Sequence, residues 1–276
     1  MFVIDLHTHS THSDGLLQPA ALVERAAARG VKVLALTDHD ETAGLAEARA
    51  RAAELGIVFV NGVEISATWD GHSVHVVGLN VDPGNPDLAA GLEWLRAGRR
   101  RRAESIAAEL DKVGIGGSLE GALAHAANPA LLGRTHFARY LVERGYASDV
   151  AAVFRRYLVA GKPGYVPHQW ADLEQAVGWI TAAGGIAVLA HPGRYRLDEA
   201  KRDALFAAFK QAGGLGVEVV TGSHHADQYP LYARCAQRFG LLASCGSDFH
   251  GPEEGRRELG ALPQLPAGCT PVWTRW

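Results

Sequence analysis

The segment DLHTHSTHSDG, residues 5–15, holds three histidines and two aspartates within eleven positions. FVIDL (2–6) is an apolar run of strand type. Side chains on a strand alternate faces, so Asp5, His7 and His9 share one face, which a helix would not allow. Two imidazoles on one strand face can grip one metal ion. The C-terminal edge of a parallel sheet is where α/β proteins place their chemistry. The pattern recurs: TDHD sets His39 just beyond a second apolar strand, AHPG sets His191 beyond another, and GSDFH sets Asp248 and His250 beyond the last. If the strands are parallel, all of these ends meet on one rim.

VEISATW-DG-HSVHVVGL supplies an independent constraint. Asp70-Gly71 is a two-residue hairpin signal. A turn of that length pairs Trp69 with His72 and therefore Ser66 with His75. Glu64, two residues from Ser66, becomes a diagonal neighbour of His75, within reach of a shared ion. The candidate ligands are thus His7, His9, His39, His75, His191 and His250, with Asp14, Glu64 and Asp248. Nitrogen and oxygen donors without sulfur suit zinc, manganese or iron. Nine ligands exceed the roughly four to six that one ion takes. Two or three ions are implied, with a carboxylate such as Glu64 as the bridge. One such histidine is more often a satisfied polar residue than a ligand, but six at strand ends favour metal. Asp5 and Asp38 are expected to orient the histidines, and Asp40 to cap a helix. His12, His72 and His125 read as surface residues, while spacing leaves His136, His168, His224 and His225 open.

The elements that would position these residues alternate strand and helix. Strands are expected at 2–6, 31–36 and 57–60, in both halves of the hairpin, and at 186–190, 215–220 and 241–245, about seven in all. Helices are expected at Pro19 to Gly30, Thr42 to Leu55, from Asp172 with Gln175 three residues on, and near 198–212 and 227–239. This rhythm is α/β with a mainly parallel sheet. Residues 84–165 break it: Leu88, Leu92 and Leu95, then Ile106, Leu110 and Val113, recur at helical spacing. The expected organisation is a metal-bearing domain from 1–98 and 166–276, with 99–165 as an inserted helical cap. The four arginines Arg99 to Arg102 read as a solvated helix face.

The 276 residues suit one large domain or one with an insertion, and 47% hydrophobic residues allow a substantial core. A net charge of −3 gives no footprint for duplex DNA. No run has the length of a membrane span, and neither a signal peptide nor an N-x-[ST] sequon is seen. Three cysteines without C-x-x-C spacing indicate neither a disulfide framework nor a thiolate zinc site. A cytoplasmic monomer is expected.

The segments DLHTHSTHSDG, LTDHD, NGVEIS with VHVVGLN, AHPGRY and GSDFH together resemble the PHP-domain (polymerase and histidinol phosphatase) metal-dependent phosphoesterases, in the family's order across nearly the whole chain. The resemblance implies a distorted seven-stranded (β/α)7 barrel with a trinuclear site at its C-terminal rim. It carries the family's ligands onto the same nine residues, with manganese as the expected metal and zinc or iron as alternatives. LGRTHFARYLVERG (132–145), YLVAGKPGYVP (157–167) and EVVTGSHHADQ (218–228) resemble a subgroup of small bacterial enzymes. These remove the 3′-phosphate from nucleoside 3′,5′-bisphosphates, and relatives trim short RNA oligonucleotides from the 5′ end. The same resemblance implies that Arg134 and Lys162 approach the substrate phosphates, with His224 as a further substrate contact. The implied chemistry is attack on the 3′-phosphorus by hydroxide held between the ions. AGKPG lacks the spacing and Ser/Thr of a P-loop. Alternatives are a 5′-to-3′ exoribonuclease using the same site, a histidinol-phosphate phosphatase, and a non-catalytic domain that binds metal for stability.

Overall fold

A computed structural model of the chain describes residues 3–276 except Gln169, Glu253, Gly255 and Arg256. The first half follows the expected rhythm: β1 (Val3–Asp5), α1 (Pro19–Ala28), β2 (Val31–Leu36), α2 (Leu45–Glu54), β3 (Val58–Trp69) and β4 (His72–Leu79). Pro19 at the start of α1 brings a preset φ and lacks only a donor that would have no partner there. Leu22, Val23 and Ala26 form its buried face. The middle is helical: α3 (Pro86–Asp111), α4 (Ser118–Ala124), α5 (Arg134–Glu143) and α6 (Val150–Val153), which runs into a π-helical turn at Phe154–Leu158. Then come β5 (Ala171–Asp172), α7 (Leu173–Ala182), β6 (Ile186–Leu189), α8 (Glu199–Gln211), β7 (Gly216–Thr221), α9 (Gln228–Phe239) and β8 (Leu242–Gly246). Asp172 and Gln175 make the expected reciprocal cap on α7. Among the described residues no helix is long and apolar enough to cross a membrane.

The sheet runs in the order β1-β2-β3-β4-β6-β7-β8, with β5 beside β3. Its pairs are parallel except those β4 makes with β3 and β6. The Asp70-Gly71 turn has both residues at positive φ, +46° and +73°, and pairs Trp69 with His72 and Ser66 with His75, as its length requires. Beyond the strand ends, β8 returns to β1. The Leu6 N–H donates to the Cys245 carbonyl (3.0 Å), the Asp248 N–H to that of His7 (2.8 Å) and the His9 N–H to that of Phe249 (2.9 Å).

Two local expectations are corrected. Residues 57–60 and the first half of the hairpin, expected as separate strands, form one, and the two-residue β5 was not expected; the described residues hold eight strands, seven of them on the main path of the sheet. The Asn61-Gly62 pair does not break β3. A Cβ at Gly62 would lie 2.6 Å from Thr37 Cγ2 and 2.9 Å from the Leu36 carbonyl oxygen, so glycine lets β2 and β3 approach. Asp40 does not cap α2, whose first helical residue is Leu45; it sits at φ +50° and takes the Ser66 N–H on Oδ1 at 2.8 Å.

The core divides. One apolar cluster lies between the sheet and helices α7, α8 and α9, with Phe206, Phe209 and Ile180 fully buried. A separate one gathers Ala103, Ile106, Leu110, Phe137, Leu141 and Leu158 within the helical middle. α3 serves both and runs unbroken through residues 98 and 99. Its arginine run is not one solvated face. Arg100 is 85% exposed, but Arg99 is buried, pairs with Asp40 and donates to Ser66 Oγ at 3.0 Å. A buried ion pair stripped of one partner leaves an uncompensated charge. Arg99→Met is therefore expected to lower the urea unfolding free energy by about 3 kcal/mol. An added Asp40→Asn should cost less than its own single change, because the charge left behind is removed.

Candidate metal centre

The nine sequence-derived residues converge: Glu64 and His75 from within β3 and β4, the other seven from beyond strand ends. β1 delivers His7 and His9, and the loop after them delivers Asp14. The end of β2 gives His39, β3 gives Glu64 and β4 gives His75. His191 follows β6, and Asp248 and His250 follow β8. The Glu64 carboxylate is the hub. Its Oε1 lies 2.8 Å from both His75 Nδ1 and His191 Nε2. Its Oε2 lies 3.0 Å from His39 Nδ1, 3.2 Å from His7 Nε2 and 3.3 Å from His9 Nε2. Asp248 Oδ1 stands 3.4 Å from His9 Nε2, and Asp14 Oδ1 stands 3.3 Å from His250 Nε2.

Three overlapping groups have their donor atoms within 4.8 Å of one another: His9, Asp14, His39 and His250; His7, His9, Glu64 and Asp248; and His39, Glu64 and His75. Proximity alone does not distinguish cation ligands from a hydrogen-bonded cluster, but directionality does. Glu64 Oε2, Asp14 Oδ1 and Asp248 Oδ1 are enclosed and have no hydrogen-bond partner, although imidazole nitrogens surround them. Buried carboxylate oxygens left unbonded are costly. Donor atoms that crowd together without bonding each other suit a common cation between them, so the residues fit two or three divalent ions.

Electrostatics agree. Burial alone would raise the Glu64 carboxyl, yet the imidazoles of His39, His7 and His75 hold it well below the ordinary range. Burial likewise opposes ionisation of Asp14 and Asp248, and His250 and His39 around the first and His7 and His9 around the second reverse it. His9 is disfavoured as a cation by burial but driven up to about 10 by Asp248 and Glu64. These carboxylates attract whatever positive charge is available. Two of the candidate ligands also carry backbone strain: His191 at φ +27° and Asp248 at φ +56°. Such values in non-glycine residues persist only where the surroundings enforce them.

Further residues hold the candidate ligands. Glu218, on β7, bonds His7 Nδ1 through Oε1 (2.8 Å) and accepts the His191 N–H on Oε2 (2.6 Å), fixing two of them at once. The Tyr195 hydroxyl receives the His75 N–H at 2.8 Å. Asp14 is gripped from α5: Thr135 Oγ1 donates to its Oδ2 (2.9 Å) and Arg139 to its carbonyl (2.6 Å). Arg194 Nη1 donates to Asp248 Oδ2 at 3.2 Å. Sequence reasoning missed these, although a charged residue inside the apolar GVEVVT strand was a visible signal for Glu218. Asp5 and Asp38 do not orient imidazoles as expected. Asp38 accepts from Ser10 N, Ser10 Oγ and Ser13 Oγ and so shapes the histidine-bearing loop. Asp5 accepts the Ser247 N–H (2.7 Å) and ties the first strand to the last.

The expected substrate residues are placed unequally. Arg134 starts α5, donates to the Leu158 carbonyl at 3.2 Å and feels the charge of Arg194. Lys162 is exposed, and its ammonium has no partner among the described residues. His224 is buried, takes the Gly193 N–H on Nε2 (2.9 Å), bonds the Val219 carbonyl through Nδ1 (3.2 Å) and stacks on Tyr232. Both its ring nitrogens serve the fold.

Outer partners of metal ligands typically matter ten- to a hundredfold in affinity. Glu218→Gln is expected to weaken manganese binding to metal-stripped protein by roughly 10- to 100-fold in calorimetric titration. Glu64→Gln should lower the number of ions retained, as counted by elemental analysis. Among known proteins, the model of the PHP domain family matches residues 5–221. A 3′,5′-nucleoside bisphosphate phosphatase from Chromobacterium violaceum is 54% identical over 98% of this chain and 95% of its own. A 5′-3′ exoribonuclease from Haemophilus influenzae is 45% identical over 99% and 98%. The solved structure of an amidohydrolase from Chromobacterium violaceum, with bound sulfate and no metal, superposes with a TM-score of 0.96 at 53% identity, covering 99% of this chain and 95% of that one. Fold, donor set and sequence together place the chain in the PHP domain family.

Proposed function

We propose that this chain is a metal-dependent phosphatase that removes the 3′-phosphate from nucleoside 3′,5′-bisphosphates, converting adenosine 3′,5′-bisphosphate to AMP and phosphate. The observation that carries the reading is the convergence of six histidines and three carboxylates around Glu64, with enclosed carboxylate oxygens left unbonded. The phosphatase relative, alike over nearly the full length of both chains, supports the substrate class.

On this reading His7, His9, Asp14, His39, Glu64, His75, His191, Asp248 and His250 would hold two or three divalent ions, manganese first among them. Bound there, the ions would acidify water towards neutral pH and offset charge on the phosphoryl oxygens. The chain's own residues do the rest. Glu218 and Tyr195 fix the angles at which His7, His191 and His75 face the centre. Arg194 stands beside Asp248 with its charge at the mouth of the site. Arg134 offers a guanidinium to substrate phosphate, with Lys162 as a second cation from solvent. The fold that carries them is a distorted seven-stranded barrel of 1–98 and 166–276, with 99–165 as its helical cap. On this reading the protein is a cytoplasmic monomer; the three free cysteines suit a reducing compartment, and the net charge of −3 suits a protein that does not bind duplex DNA. A second reading, 5′-to-3′ removal of nucleotides from short RNA by the same centre, is favoured by the exoribonuclease relative.

With manganese added, the protein is expected to release phosphate from adenosine 3′,5′-bisphosphate, and the His7→Ala, Asp248→Ala double variant is not. Release no greater than that of the double variant refutes the phosphatase reading. Parallel incubation with 5′-phosphorylated RNA trimers tests the second.

A further inference from the structure

The three groups of donors are not held alike. His7, His9, Glu64 and Asp248 are all buried, whereas the group of His9, Asp14, His39 and His250 contains two half-buried imidazoles. Its members Asp14 and His250 stand on loops from opposite ends of the chain. Those loops lie side by side, and the Leu16 N–H donates to the His250 carbonyl at 2.6 Å. His250 Nδ1 bonds the Asp248 carbonyl at 2.9 Å. A carbonyl only accepts, so in the neutral ring Nδ1 carries the proton and Nε2 is a lone pair. That lone pair faces Asp14 Oδ1, enclosed and unbonded, at 3.3 Å. Two acceptors facing each other suit a cation between them.

One guanidinium ties both loops together. Arg139, buried on α5, donates from Nη2 to the Asp14 carbonyl and to Glu254 Oε2, both at 2.6 Å, and from Nε to Glu254 Oε1 at 2.9 Å. Glu254 stands four residues after His250, and its N–H donates to the Gly251 carbonyl at 3.2 Å. A planar fork on a carboxylate fixes direction as well as distance. α5 thus grips Asp14 by its backbone and the His250 loop by an ion pair. Among the described residues Arg139 bonds none of Glu64, His7, His75 and His191. Those four lean on one another and on Glu218 and Tyr195.

The geometry points to Arg139 and Glu254 as a clasp that sets the affinity of the ion position between Asp14 and His250, separately from the positions built on Glu64. Both are positioning residues, acting through Asp14 and His250. The inference rests on the reading that the nine residues hold divalent ions. Its consequence is that the helical middle, through α5, sets how many ions the centre keeps when metal is scarce.

The test titrates metal-stripped protein with manganese and follows free ion by its electron paramagnetic resonance signal, so that each class of site is resolved. The class lost in His250→Ala marks the position between the loops. In Glu254→Gln that class is expected to weaken by roughly 10- to 100-fold, with the others at their wild-type affinities. Arg139→Met should weaken it at least as much, and Arg139→Lys less. Arg25→Met serves as the control: it breaks an equally forked pair, to Glu258, that touches no candidate ligand, and should change no class. In the His250→Ala background Glu254→Gln should add nothing, since the position it acts on is gone. All classes unchanged in both Glu254→Gln and Arg139→Met overturns the clasp. So does an equal weakening of every class in Glu254→Gln, or an effect that persists in the His250→Ala background. Wild-type protein that binds no manganese overturns the metal reading itself.

Discussion

A single carboxylate with no access to water, ringed by five imidazoles, sets the terms for the rest of this molecule. Glu64 reaches His75 and His191 through one oxygen and His7, His9 and His39 through the other. Such a group is tolerable in the interior only while positive charge surrounds it. Strand order, the hairpin turn and the return of β8 to β1 bring that charge to it from four separate parts of the chain. The centre is therefore a product of topology: no two adjacent elements could supply enough donors.

The helical middle takes part in the centre. α5 begins with Arg134, whose neighbour Thr135 bonds Asp14, and one turn on Arg139 holds the Asp14 carbonyl and pairs with Glu254. One helix thus begins with a partly buried cation and fixes a candidate metal ligand. Arg99 does the same work of attachment from α3, joining Asp40 beside His39 to Ser66 on β3. The apolar cluster within 103–166 makes this region rigid enough to hold those contacts.

Much of the candidate site was legible because strand periodicity is exact in its consequences: a residue two positions along faces the same way, and a two-residue turn fixes the register opposite. Those rules placed Asp5, His7 and His9 on one face and His75 beside Glu64. Polar residues whose partners are backbone groups in distant loops were not legible. Asp38, Asp40 and Asp5 satisfy N–H groups at Ser10, Ser66 and Ser247, and nothing in their spacing names those partners. The Arg99–Arg102 run was misjudged for another reason. Charge suggested solvent, yet Arg99 lies at helical spacing from Ala103, Ile106 and Leu110, the buried stripe of α3. Periodicity was the better guide there than residue type.

The continuity of α3 has a mechanical consequence. The boundary read at residues 98 and 99 falls inside a helix of 26 residues, so the outgoing crossing between the two regions is a stiff rod. Bending it would break successive i to i−4 bonds. Whatever room a nucleotide needs to enter and leave must come from the returning crossing after Leu158 or from side chains at the rim, because the outgoing helix works as a brace.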